Sequence, residues 1–77
     1  MPRYHFDLRA DGITIPDHEG LEFPDEGAAR EEAARAAGEM MRERSARNAE
    51  PQDIALLVRD GSSHPVCTVT VALILVS

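Results

Sequence analysis

The sequence predicts an α+β fold: a two-layer ββαββ arrangement in which a mainly antiparallel four-stranded sheet carries one long helix on one face. Three observations predict it. Apolar and polar side chains alternate from Arg3 to Arg9, and Ile54, Leu56 and Val58 repeat that period further on, as half-buried strands require. Asp11-Gly12 and Asp60-Gly61 supply the residues that accept positive φ in tight reversals. Between them, Ala29, Ala33, Ala36, Ala37, Met40 and Met41 recur at three- and four-residue steps, which makes the apolar stripe of a helix.

The elements follow in order. Tyr4, Phe6 and Leu8 form the buried face of the first strand, and Arg3, His5, Asp7 and Arg9 its polar face. After the Asp11-Gly12 turn, Ile13 and Ile15 resume the alternation until Pro16, which cannot donate to a ladder. Pro16-Asp17-His18-Glu19-Gly20 is a turn built from a preset φ, an Asp that bonds back to amides and a glycine. Leu21 and Phe23 are expected to point to the core. Asp25 is the N-cap of a helix running from about Glu26 to Arg47, with Glu26, Glu31 and Glu32 near its positive end. Gly38 interrupts that helix and would allow a strand to approach closely if it lay beside the stripe. Asn48 and Pro51 are expected to end the helix. The third strand passes through Ile54, Leu56 and Val58. The fourth, from about Val66 to Val76, is apolar on both faces and wants cover on both; the two hairpins are expected to be joined through the helix, with the first and fourth strands near the centre of the sheet.

Composition bounds what the chain can be. Seventy-seven residues, 43% hydrophobic and 29% charged, fit a single domain spanning 1–77. A net charge of −6 repels polyphosphates and anionic headgroups, so neither nucleic acid nor a membrane is expected as a partner. The apolar run from Val66 to Val76 is about half the length of a membrane-spanning helix. One cysteine, Cys67, cannot close an internal disulfide, and the N-terminus lacks the apolar stretch of an export signal, so a cytoplasmic setting is expected.

The opening Met1-Pro2-Arg3-Tyr4-His5-Phe6, the stretch Pro16-Asp17-His18-Glu19-Gly20-Leu21-Glu22-Phe23-Pro24-Asp25 and the alanine-rich helix resemble a family of small bacterial domains of unknown function. That family opens M-P-R-Y-x-F and carries P-D-x-x-G-x-E-x-P-D. The likeness continues through Arg59-Asp60-Gly61 and Val69-Thr70-Val71, and departs at Ala72 to Val76, which is more apolar here. It implies a self-contained cytoplasmic domain and brings no catalytic residues or cofactor.

No residue pattern identifies a reaction, and no enzyme activity is expected. Asp17-His18-Glu19 offers metal-ligand chemistry, with His5 or His64 able to complete a set if the fold gathers them; a solvated turn explains the same residues. His64 and Cys67 stand three apart and face opposite sides of a strand, so no thiolate-imidazole pair is expected. Arg42, Arg44 and Arg47 suit a helix C-terminus. Self-association has the best physical motive. A helix that buries mostly alanine supplies a thin core at about 25 cal/mol per Å², and the last strand has apolar side chains to spare. The expectation is a homodimer through Val69, Val71, Leu73, Ile74 and Leu75, with Arg3, His5, Asp7 and Arg9 presented to an unidentified protein partner. The alternative is a small-ligand or metal-binding domain using His5, His18 and Glu19.

Overall fold

A computed structural model describes residues 1–47, 52–74 and 76 of the chain. It contains strands β1 (Arg3–Ala10), β2 (Ile13–Ile15) and β3 (Leu21–Glu22), helix α1 (Glu26–Arg47), and strands β4 (Gln52–Asp60) and β5 (Pro65–Leu73). All strand pairs are antiparallel, in the order β2-β1-β4-β5, with β3 also paired to β1. The α+β class and the long helix are as the sequence predicts. The short strand β3 is an addition. The helix stops expected at Asn48 and Pro51 lie outside the described residues.

The strand order corrects one expectation. The central pair is β1 with β4, from Tyr4↔Asp60 to Ala10↔Ile54, and β5 lies at the edge. The reason is visible in β4, where Ile54, Ala55, Leu56 and Val58 are all buried. Strand β5 needs cover on one face only. Cys67, Val69, Val71 and Leu73 are half-buried on the helix side, while Thr68, Thr70 and Ala72 are exposed on the other.

Helix α1 begins where Asp25 caps it: Ala28 N–H donates to Asp25 Oδ1 at 2.9 Å, which satisfies an otherwise orphaned amide. Glu26 stands in the first turn, with Arg44 and Arg47 in the last, matching the macrodipole. Ion pairs Arg35–Glu32 (2.8 Å) and Arg30–Glu26 (3.8 Å) lie on its exposed side and contribute a few tenths of a kcal/mol each. The buried side is Ala29, Ala33, Ala37 and Met41, a four-residue repeat that packs on β4 and β5. Gly38 is exposed, with open space where a Cβ would stand, so it mediates no close approach.

The core gathers Tyr4, Ala29, Ala33 and Val58, with Phe6, Phe23, Val66, Cys67 and Val69 packed against them. Phe23 joins Phe6 edge-to-face at 5.7 Å and Tyr4 at 6.1 Å, and its amide donates to Pro2 O at 3.0 Å. Leu21 does not reach the core; it is 56% exposed. Burial, followed by the charges of Glu26, Asp25 and Asp60, pushes the Tyr4 hydroxyl above its ordinary pKa.

Candidate functional site

The two edges of the sheet are built differently, and the polar residues of β1 account for one of them. Strand β1 is paired with β4 along one side. Its other side is covered by β2 opposite Leu8, Arg9 and Ala10 and by β3 opposite Arg3 and Tyr4. The Phe6 amide falls between them, and there the Asp17 carboxylate takes the place of a strand: Oδ2 accepts from Phe6 N–H at 3.0 Å and Oδ1 from Gly20 N–H at 3.1 Å.

The loop that carries Asp17 is tied down from several directions. The Asp17 amide donates to Asp7 Oδ1 at 2.9 Å. Arg59 Nε donates to Asp7 Oδ2 at 2.9 Å, and Arg59 Nη2 to the Asp17 carbonyl at 2.9 Å. His5 Nδ1 lies 2.9 Å from that same carbonyl; a carbonyl only accepts, so Nδ1 carries the proton. Arg3 reaches the Glu19 carbonyl at 2.8 Å and Glu22 at 3.4 Å. Gly20 has φ +69°, and a Cβ there would stand 2.7 Å from Tyr4 O, so both the left-handed backbone and the close approach require glycine.

Burial raises the Asp17 carboxyl, but the amides of Phe6, Gly20 and Glu19 and the His5 ring outweigh it and hold it below the usual carboxylate range. Asp7 is lowered in the same way: burial opposes ionisation, and the Arg59 hydrogen bond, the Asp17 amide and the Arg59 and His5 charges prevail. At the other turn, Asp60 Oδ1 accepts from Ser62 and His64 amides at 2.9 and 3.0 Å. The His64 amide is first among the causes that hold Asp60 low.

Three of the polar residues expected to face a partner, Arg3, His5 and Asp7, thus hold this loop, and Arg9 is exposed on the same strand. His18 and Glu19 project from the loop surface. Among the described residues, no three His, Cys, Asp or Glu side chains form a group that could hold a metal ion. An open cleft of about 350 Å³ on the outer sheet face is lined by Arg9, Asp11, Asp53, Ala55 and Thr70 and includes neither His5, His18 nor Glu19. Asp17 bonds back to a nearby amide at Gly20 as the sequence suggests, but its bond to the Phe6 amide and the role of Arg59 were missed in the sequence. The eleven-residue reach from Phe6 to Asp17 and the longer one from Asp7 to Arg59 carry no local signature.

Strand β5 is the opposite case. Among the described residues its outer side faces no other strand, and after Pro65 at its start the run Val66-Cys67-Thr68-Val69-Thr70-Val71-Ala72-Leu73 holds neither a charge nor a further proline. The register shift in the β4–β5 ladder falls at Val58/Arg59 and leaves Val66 of β5 as the extra residue beside Pro65, while the ladder from Cys67 to Leu73 is regular. Natural edges carry charges, prolines, bulges or cover that discourage pairing. Of the expected interface, Val69, Val71 and Leu73 are half-buried under the helix, Ile74 is 76% exposed, and Leu75 lies outside the described residues.

In comparison with known families, the model of the Domain of unknown function (DUF6894) matches residues 3–72. The chain belongs to that family. The matched span takes in both hairpins, the helix and the Asp17 loop of this DUF6894 domain, and ends one residue before the end of β5. No curated protein and no solved structure matches the chain. Among the described residues, no helix is long and apolar enough to cross a membrane.

Proposed function

We infer that this DUF6894 domain is a non-catalytic protein-interaction module that self-associates by adding β5 of one copy to β5 of another. The observation that carries the reading is the edge of β5 from Cys67 to Leu73, beyond Pro65 and the register shift beside it, which is uncharged in a chain of net charge −6. Two anionic copies repel least where neither carries charge. Antiparallel addition about a two-fold axis makes the contact self-complementary, sets Thr68 of one copy across from Thr70 of the other, and brings the exposed Ile74 and Val76 toward the partner. The thin, alanine-lined core gives the pairing a stabilising role. A bacterial cytoplasm is the proposed setting, where Cys67, a free thiol, stays reduced.

Light scattering after gel filtration, across a roughly hundredfold dilution, tests the reading on the full chain and on T68K/T70K. Both threonines are exposed, so the variant keeps its fold, which circular dichroism checks. Each of the two facing lysine pairs costs about 1 kcal/mol, together roughly thirtyfold in Kd. The expected result is a dimer for the natural sequence and a shift toward monomer for the variant. A natural chain that is monomeric at every concentration refutes the reading.

A further inference from the structure

We propose that the Asp17 carboxylate limits assembly to a closed pair, by closing the gap between the short strands β2 and β3 on the opposite edge of the sheet, where a further strand would dock on β1. The proposal rests on the β5 reading for the strand that pairs, and on a separate set of contacts for the limit. A sheet has two edges. Joining β5 to β5 uses the same surface on both copies and closes; joining β5 to the free side of β1 is head-to-tail and grows without end. What prevents the second is the seal along β1. Strands β2 and β3 are three and two residues long, too short to hold an edge by their own ladders, and both flank the loop that Asp17 fastens. Its carboxylate, 3.0 Å from the Phe6 amide, sits where an incoming strand would place a carbonyl oxygen. Its negative charge repels that oxygen as well. Removing the carboxylate frees the Phe6 amide, releases the loop at Gly20 and loosens β3 from Arg3 and Tyr4, so that β1 from Arg3 to Asp7 becomes a second open edge while β2 still covers Leu8 to Ala10.

Sedimentation velocity on the full chain tests this. The natural sequence is expected to stop at a dimer, and Asp17→Ala to form a concentration-dependent series of larger species. Adding T68K/T70K to Asp17→Ala should remove those species, because growth needs β5 as well as β1. A folded Asp17→Ala that stays the size of the natural protein overturns the proposal, as do large species that persist in the triple variant. Amide hydrogen exchange on the natural chain keeps the test decisive if Asp17→Ala does not fold. The Phe6 amide should exchange at least about a hundredfold more slowly than an unstructured amide, and exchange at the unprotected rate overturns the seal. A monomeric natural chain with a protected Phe6 amide would remove the β5 reading while supporting the seal.

Discussion

Gly20→Ala is the sharpest test of the loop geometry. The substitution places a methyl group 2.7 Å from Tyr4 O and 3.0 Å from two atoms of the His5 ring, at φ +69°. The left-handed backbone alone costs roughly 1–2 kcal/mol for an L-residue with a Cβ. The overlap is with a backbone oxygen, which moves only if β1 shifts against β3, and overpacking of this kind adds roughly 1–3 kcal/mol. A loss of about 3 kcal/mol is therefore expected, against a total stability of roughly 4–11 kcal/mol for a chain of this length, or a fall in Tm of at least about 12 °C. Two other glycines calibrate it. Gly12 has φ +75° with nothing within 4 Å of a built Cβ, so Gly12→Ala should cost only the conformational part, about 1 kcal/mol. Gly38 is helical with open space around it, so Gly38→Ala should stabilise by up to about 1 kcal/mol. Urea unfolding followed at 222 nm, with unchanged m-values, measures all three. A Gly20→Ala variant within about 0.5 kcal/mol of Gly12→Ala would show that the loop does not lie against β1 as described.

Two further predictions concern the carboxylates. Asp7, Asp17 and Asp60 have folded-state pKa values held below the ordinary one; on acidification the unfolded chain takes up protons first, so their contribution is complete above the unfolded value of about 3.9 and is lost as pH falls through the lower folded values. Thermal midpoints between neutral pH and pH 2 should fall steeply in that window and less steeply in Asp7→Asn; an unchanged slope refutes the assignment. Asp25→Ala removes the cap on Ala28 N–H and should destabilise by about 1 kcal/mol in the same urea assay, whereas Asp25→Asn, which keeps an acceptor oxygen, should lose less.

Much of the fold was legible because its determinants are local. The Asp11-Gly12 turn adopts φ 55° and 75°, as a pair chosen for positive φ must, and the helix runs from Glu26 to Arg47 as its cap and stripe predict. Strand order was not local, and the strongest apolar run misdirected it. The segment from Val66 to Val76 outweighed the shorter Ile54-Ala55-Leu56-Leu57-Val58, yet the shorter one is central. Continuous apolar residues on both faces of β4 were the available signal; in β5, Thr68 and Thr70 marked a wet face. The candidate site divided in the same way. Asp17 and Gly20 were legible as turn residues, but that the turn folds back across β1 depends on Asp7 and Arg59 meeting across two strands, and periodicity holds no trace of it.

The pairing of β1 with β4 has a kinetic consequence. The two ends of the helix deliver the strands that form the middle of the sheet, so the Tyr4↔Asp60 register must be found across most of the chain. Closing the loop between residues 4 and 60 costs on the order of 3.5 kcal/mol in chain entropy, whereas the β1–β2 and β4–β5 hairpins close over a few residues. The hairpins and the helix can therefore form early, while the step that joins them comes late and sets the folding rate. Until then β1 and β4 are both unpaired along one side. A chain that has not yet made this closure leaves the edge of β4, where Ile54, Ala55, Leu56 and Val58 become buried, open to other chains, so slower closure lengthens the interval in which neighbouring chains can pair with it.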